Sequence, residues 1–119
     1  MKVTTKDNVK RGNIVLVDFG DYYGSIQGGV RPAIILQNNM GNYYSPTVIL
    51  AKITSQNKKE NLPTHIPIAK DGTGLRKDSV ILLEQIMTVN KFQIIKNIGQ
   101  AKQSTLDEVN NAFKISLAL

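Results

Sequence analysis

Short hydrophobic runs, separated by glycine, proline or clusters of polar residues, recur along most of this chain. Runs of about four to eight apolar residues between turn signals are typical of β-strands, since helices need longer periodic segments. The pattern predicts strands at 13–19, 31–37, 47–54, 64–68, 79–83, 85–89 and 96–100. The second of them is almost continuously apolar, so we expect both of its faces to be buried.

Helical signals are fewer and lie mainly towards the end of the chain. A turn or very short helix is expected at 38–42, and Asn90 suits the N-cap of a short helix. Residues 105–108, Thr-Leu-Asp-Glu, form a capping-box pattern that predicts the start of a longer helix. Hydrophobic residues recur at helical spacing and predict a core-facing stripe: Leu106, Val109, Phe113 and Leu117. Several short strands and one closing helix indicate an α+β, mainly β fold built on a small β-barrel.

Length and composition limit the class of protein. The 119 residues, 41% of them hydrophobic, suffice for a single domain over 1–119, in which residues 1–8 form a loose polar arm. No apolar run approaches the roughly 20 residues of a membrane span, and no apolar segment of a secretory signal follows Met1. Without cysteine the chain has no disulfides, thiol nucleophiles or thiolate metal sites. We therefore expect a cytoplasmic protein without a membrane partner.

The charge balance favours a polyanionic partner. Fifteen lysines and arginines against nine aspartates and glutamates give a formal charge of +6. Nucleic acid is the commonest partner of such a surface. A dispersed excess of this size is also seen in proteins that merely stay soluble, so charge alone does not decide between these interpretations.

The segment 27–32, Gln-Gly-Gly-Val-Arg-Pro, is the most informative part of the chain. Gly28 and Gly29 let a ligand approach the backbone closely, and Pro32 favours an extended conformation at Arg31. The arginine is then presented at the start of a strand, where its paired donors can bind a phosphate. The same six residues also fit a Gly-Gly turn followed by an ordinary solvated arginine.

Elimination narrows the chemistry further. The only histidine is His65, so one subunit cannot build a histidine acid–base pair, and its position between Pro63 and Pro67 favours a structural or solvent-facing role. No carboxylate or histidine cluster has metal-ligand spacing, and no phosphate-binding glycine loop of the Walker or dinucleotide type is present. We expect no metal and no cofactor. Arginine and hydroxyl groups can still stabilise the transition state of a phosphodiester attacked by its own ribose hydroxyl.

Several segments, taken in their joint order, resemble the MazF/PemK (Kid) toxins. The opening pattern lies at 10–14 and 24–32. Later segments are similar to the Gram-positive MazF (EndoA) branch of that family: 41–47, 62–65, 78–86 and 115–119. The resemblance covers about residues 9–119, and its specificity lies in the order of the segments rather than in any one of them.

The resemblance implies an SH3-like small β-barrel (PemK/MazF/CcdB-like) with a C-terminal helix, working as a homodimer. It also implies a sequence-specific, metal-independent endoribonuclease that is the toxin of a type II toxin–antitoxin system. Its substrate would be single-stranded RNA, cut by 2′-OH attack to leave a 5′-OH and a 2′,3′-cyclic phosphate or 3′-phosphate. Its other partner would be a MazE-like antitoxin whose disordered C-terminal tail covers the RNA groove.

Two catalytic positions carry over from that branch. Arg31 would stabilise the equatorial charge of the phosphorane, and Thr54 would donate a hydrogen bond to the same phosphate. Without the resemblance, Thr54 fits an ordinary β-branched strand residue. The family often has an acid where this chain has Ile26, so any contact made by that acid is lost here.

RNA binding involves a further group of candidates. Side chains that can read the edges of unstacked bases are Ser25, Gln27, Glu84 and Gln85. Gly28 and Gly29 would bring the backbone close to the RNA. Gln85 fits a solvated strand residue equally well.

Two other classes of function compete with the endoribonuclease. One is a non-catalytic toxin on the same barrel, as in the CcdB group that binds DNA gyrase. The other is a non-enzymatic SH3-like module that binds nucleic acid. The arginine beside the Gly-Gly pair favours the enzyme, because a gyrase-binding toxin does not need a phosphate clamp.

Overall fold

The computed structural model describes residues 9–20, 28–55 and 62–119. The expected arm at 1–8 and most of the expected loop at 55–62 lie outside them. Within the described residues the strands are β1 Asn13–Asp18, β2 Val30–Ile35, β3 Thr47–Thr54, β4 His65–Ile68, β5 Ser79–Asn90 and β6 Ile94–Gln100. The helices are α1 Asn39–Tyr44, a 3-10 turn Lys91–Gln93 and α2 Gln103–Ser116.

The strands form one antiparallel sheet in the order β4-β5-β3-β2-β1-β6. The second strand lies in the middle of it, and the predicted burial on both faces holds for its second half, residues 33–35, while Val30 and Arg31 are exposed. Its alternate residues point to different cores: Ile34 belongs to one hydrophobic cluster, and Ala33 and Ile35 belong to the other. Because side chains alternate along a strand, a continuous apolar run is what a strand between two cores requires.

The two hydrophobic cores are covered by different elements. Helix α2 closes the first, where Leu106, Val109 and Ala112 pack against residues of the sheet such as Ile34 and Ile53. The second core lies on the other face and includes Val9, Val15, Val17, Phe19, Val48, Leu50, Val89 and Ile94. One core is therefore closed by α2, and the other is formed by residues of the sheet together with Val9 and Phe19.

The turn between β4 and β5 brings the two ends of the sheet together. No hydrogen-bonded ladder joins β4 to β6 within the described residues, so the sheet is barrel-like without being closed. Instead, Gly74 lies against the backbone of Ile98, and Gly99 lies against the backbone of Thr73. An added Cβ would stand 2.0 Å from a carbonyl oxygen at either glycine, so only glycine permits this approach. The predicted α+β, mainly β fold is confirmed.

Three local predictions differ from the structure. The runs 79–83 and 85–89 belong to one long strand, β5, whose pairing with β3 changes register between Ala51 and Ile53. The capping box at 105–108 is wrong, because α2 begins at Gln103 after Lys102, and Thr105 is buried inside the first turn. Leu117 follows the end of α2 and is 60% exposed rather than packed in the core.

The short helices match their sequence signals. Helix α1 extends the expected turn at 38–42, and its N-cap residue Asn38 accepts a hydrogen bond from the Gly41 backbone N–H. The 3-10 turn follows Asn90, whose backbone N–H donates to Gln93 Oε1 at 2.9 Å. These signals were predictable because a cap is a contact between residues close in sequence.

Candidate active site

A groove of about 650 Å³ opens beside the ends of β2 and β3. Its apolar floor is formed by Leu16, Pro32, Ile53, Leu75 and Ile98. The polar and charged lining consists of Arg31, Thr54, Ser55, Arg76, Lys77, Ser79 and Lys96. Cavities of this size with an apolar floor and a few converging polar groups are typical of binding sites.

Arg31 is the second residue of β2 and is exposed to solvent. Its Nε donates a hydrogen bond to the Gly28 carbonyl at 3.1 Å, which orients the guanidinium. Gly29 has φ +76°, a conformation that L side chains rarely adopt. Its N–H donates to Gly20 O at 2.7 Å, and its carbonyl accepts from Phe19 N at 3.0 Å. The Gly-Gly pair therefore anchors the base of the loop and holds the arginine in place.

Thr54 is the last residue of β3 and lies on the same groove. The ladder between β2 and β3 ends at the pair Ala33–Lys52. Arg31 lies two residues before Ala33 on β2, and Thr54 lies two residues after Lys52 on β3. Because positions two apart share a face of a strand, the antiparallel register brings the guanidinium and the threonine hydroxyl to the same side. The structure thus brings the two predicted catalytic residues together.

The groove is cationic. Arg31, Arg76, Lys77 and Lys96 line it, and no aspartate or glutamate of the described part of the chain is among its lining residues. Within 9–20, 28–55 and 62–119, none of these four cations forms an ion pair with an acid. A cleft lined by charge of one sign focuses the field and attracts an anionic ligand.

Lys52 adds a buried cation behind this lining. It lies two residues before Thr54 on β3, its residue is only 9% exposed, and its Nζ is 4.6 Å from the centroid of the Phe19 ring. Burial lowers the pKa of Lys52, and the nearby positive charge of Arg31 lowers it further. The positive charge that disfavours protonation of Lys52 is that of Arg31, whose guanidinium faces the groove.

Glu84 and Gln85, two candidates for base reading, are not among the groove's lining residues. Both are exposed on β5. Glu84 accepts hydrogen bonds from Thr64 Oγ1 at 3.0 Å and pairs with His65 Nε2 at 2.9 Å. Burial acts to raise the pKa of Glu84, but the hydrogen bonds it receives outweigh that effect and lower it. His65 itself is mostly buried against Glu84, as expected for a structural role.

The remaining candidates divide between described and undescribed residues. Gly28 and Gly29 stand at the base of the loop next to Arg31. Ser25, Gln27 and the departure at Ile26 lie outside the described residues. In the part of the chain that the structure describes, no group of three or more histidine, aspartate or glutamate side chains is placed to hold a metal ion. No helix in that part has the length and hydrophobicity to cross a membrane.

The cations on the far side of the groove were not predictable as site residues from the sequence. Arg76 and Lys77 stand out there only as a basic pair. Lys96 gives no signal, because its place beside the groove depends on the alignment of β6 with β1, where it lies opposite Leu16. Long-range pairing of this kind is not encoded in any local pattern.

The fold is that of the MazF toxins. A crystal structure of MazF from Deinococcus radiodurans superposes with a TM-score of 0.77 at 21% identity, covering 94% of this chain and 98% of that one. A mycobacterial endoribonuclease in complex with its cognate antitoxin gives 0.75 at 21% identity, covering 95% and 96%.

Sequence comparison adds the family. Residues 10–117 match the PemK-like, MazF-like toxins of type II toxin–antitoxin systems, and the chain belongs to that family. Endoribonuclease EndoA of Bacillus subtilis is 47% identical over 111 residues, which cover 93% of this chain and 96% of the relative. Endoribonuclease MazF of Staphylococcus saprophyticus is 48% identical over 111 residues, covering 93% and 92%. A gyrase-binding toxin and a non-catalytic module are not favoured by these relatives.

Proposed function

We propose that this protein is the endoribonuclease toxin of a type II toxin–antitoxin system and cuts single-stranded RNA without a metal ion. One observation carries the proposal. Arg31 and Thr54, from neighbouring strands, line one cationic groove, and none of the described acidic side chains is in its lining. The relatives named as endoribonucleases share nearly half of their residues with this chain, which supports the same activity here.

The reaction is a transfer of the phosphodiester within the RNA. The 2′-oxygen forms a bond to phosphorus, the bond to the 5′-oxygen breaks, and the proton lost from the 2′-OH is balanced by one gained at the leaving oxygen. The products are a 5′-OH and a 2′,3′-cyclic phosphate, which water can open to a 3′-phosphate. No protein nucleophile is needed, so the chain supplies positioning and electrostatic stabilisation.

Arg31 and Thr54 act on the phosphate. The guanidinium, oriented through its Nε by Gly28, uses its remaining donors on the oxygens that gain charge in the transition state. The Thr54 hydroxyl donates to the same phosphate. Lys52, whose pKa is lowered by burial and by the charge of Arg31, adds a positive charge near the guanidinium when it is protonated. An arginine side chain stays protonated at ordinary pH, so we assign Arg31 the role of a donor and not that of a base.

Base recognition would involve side chains outside the described groove lining. Glu84 already accepts from Thr64 and His65, yet a carboxylate has about four acceptor sites and can also take a base amino group. Gln85 is exposed beside it and can read a base through both donor and acceptor atoms. We propose that Ser25 and Gln27 read bases as well, while Gly28 and Gly29 let the RNA backbone approach.

The partners follow from the same proposal. An antitoxin with an acidic, disordered tail would fold over the cationic groove and block it. A homodimer would bury the apolar C-terminal side chains Ile115, Leu117 and Leu119, which are 69%, 60% and 85% exposed in the single chain. We place the protein in the cytoplasm, where its mRNA substrate is made.

Incubation of the purified protein with a long RNA in EDTA tests the proposal. Discrete fragments are the expected result, since the chemistry needs no metal. Intact RNA that nevertheless shifts in a binding assay would indicate a non-catalytic module, and intact RNA without binding would indicate a toxin that acts on a protein. An Arg31→Ala sample in parallel shows that any cutting belongs to this chain and not to a contaminating nuclease.

A further inference from the structure

Three cations on the far side of the groove have no role in the cleavage chemistry. Arg76 and Lys77 come from the loop between β4 and β5, and Lys96 comes from β6. Strand β1 separates β6 from β2, since Leu16 pairs with Lys96 on one side and with Pro32 on the other. Two strand spacings amount to about 10 Å, so the backbone at Lys96 is well separated from the Arg31 end of the groove.

These three cations lack acidic partners among the described residues. No ion pair links them to an aspartate or glutamate there. The nearest acid in sequence, Asp78, uses Oδ1 to accept the Lys70 backbone N–H at 2.9 Å. Like charges gathered in a cleft repel one another and favour the binding of an anion.

The loop that carries Arg76 and Lys77 is held in place by its own contacts. Thr73 is buried, and its hydroxyl lies within hydrogen-bond distance of Ala69 O at 3.1 Å and Lys70 O at 2.8 Å. Gly74 and Gly99 join the loop directly to β6. The backbone that carries Arg76 and Lys77 is therefore held beside β6, the strand that carries Lys96.

We infer that Arg76, Lys77 and Lys96 form a second phosphate subsite, which binds a phosphodiester of the RNA other than the one that is cut. The inference rests on the proposed function. Leu16 lies between the two ends, since it pairs with Pro32 on one side and with Lys96 on the other, and a ribose or base that spans the distance between the phosphates would lie over it. The substrate class is accordingly an oligonucleotide with at least two phosphates in the groove.

Binding to an uncleavable RNA tests the subsite independently of catalysis. The groove variant is Arg76→Gln with Lys96→Gln, and the control is Lys10→Gln with Lys102→Gln, which removes the same charge from exposed residues outside the groove lining. Fluorescence anisotropy with a short RNA of 2′-O-methyl ribose gives the Kd at several salt concentrations. We expect about tenfold weaker binding for the groove variant, as for loss of a charge-assisted contact. Its log–log salt slope should fall by roughly 0.7 per lost phosphate contact, and the control should match the wild type in slope.

A cleavage assay locates the phosphate. In an RNA with one mapped site, each flanking phosphate is replaced in turn by a neutral methylphosphonate. At one position the substitution should raise KM for the wild type but not for the groove variant, with kcat little changed in both. Equal Kd and slope in the groove and control variants would overturn the subsite while leaving the nuclease intact. A wild type that binds through these residues but cuts nothing would keep the subsite and refute the proposed function.

Discussion

At the scale of single residues, the site depends on a few backbone contacts that orient the Arg31 guanidinium. Gly29 takes a conformation that other residues avoid, and Gly28 supplies the carbonyl that accepts from Arg31 Nε. The arginine leaves β2 next to the end of β3, so its free donors and the Thr54 hydroxyl reach the same groove. Local geometry thus accounts for a pair of groups suited to stabilising a phosphorane.

Replacing Arg31 tests this assignment. Loss of one preorganised transition-state donor typically costs about 10² to 10³ in rate, so Arg31→Ala should lower kcat by that factor and stay folded, because the side chain is exposed. Arg31→Lys should restore little, since an ammonium lacks the planar fork. Single-turnover cleavage, with circular dichroism as a check on folding and Lys10→Ala as control, gives the comparison. A well-folded alanine variant that cuts at the wild-type rate would show that the site lies elsewhere.

Lys52 gives a pH-dependent prediction. Burial and Arg31 lower its pKa in the folded state, so the unfolded chain binds more protons between that pKa and the ordinary value of about 10.4. The contribution of Lys52 to the free energy of unfolding therefore rises with pH in that range. Relative to Lys52→Met, the wild type should gain melting temperature as the pH is raised from about 7 to about 10. Melting temperatures that differ by a constant amount throughout would contradict the shift.

Prediction from the sequence at this scale works from local causes. The Gly-Gly pair and proline marked Arg31 as a candidate because they restrict the residues beside it, and its catalytic role, which the family resemblance implies, stays a prediction. The capping box failed because Thr105 satisfies the pattern locally, while packing of α2 places the helix start at Gln103. Lys96 could not be predicted at all, since only the pairing of β6 with β1 brings it to the groove.

At the scale of elements, the contact between the turn at 70–74 and β6 organises the groove. Gly74 and Gly99 let two backbones meet where any Cβ would intervene. That contact joins the ends of the open sheet and sets the positions of Arg76 and Lys77 relative to Lys96. The order of elements along the chain was predictable from hydrophobic runs. This tertiary approach was not, because a glycine in a strand can equally mark a bulge or a tight bend.

Gly99→Ala should weaken the contact between β6 and the turn at 70–74. Its methyl group would meet Thr73 O and Thr73 C, so we expect a loss of about 1 to 3 kcal/mol, as for overpacking at a tight contact. Weaker RNA binding should accompany it, since the loop cations move away from β6. Urea denaturation measures the first effect and anisotropy the second.

A glycine in the turn at 70–74 provides the control. Gly72 has φ +75° but no atom within 4 Å of an added Cβ. Gly72→Asn should therefore cost little, since asparagine tolerates positive φ. If both variants lose equal stability, the contact with β6 is not what makes Gly99 necessary.

At the scale of the whole molecule, two features of the described surface favour a binding partner. One is the cationic groove, and the other is the apolar C-terminal end at Ile115, Leu117 and Leu119. The cationic groove is suited to binding RNA or an acidic antitoxin tail, and the apolar C-terminal end is suited to binding another protein surface. A homodimer would satisfy the second and extend the surface over which several nucleotides can bind.

Sedimentation at micromolar concentration tests the homodimer. A mass near twice the 13.1 kDa of one chain is expected, because burial of the three C-terminal side chains stabilises the association. A clean monomer that still cuts RNA at full rate would show that the dimer is not the working unit.

The central claim is that the attacking group comes from the RNA. The most direct measurement uses an RNA with one mapped cleavage site, in EDTA, beside the same RNA carrying 2′-deoxy or 2′-O-methyl ribose at the cleaved position, with the ends analysed by mass spectrometry. We predict a 5′-OH and a 2′,3′-cyclic phosphate or 3′-phosphate from the first RNA, and binding without cleavage for the modified ones. Efficient cutting of the modified RNAs would mean that water or a protein group is the nucleophile, which would contradict the central claim.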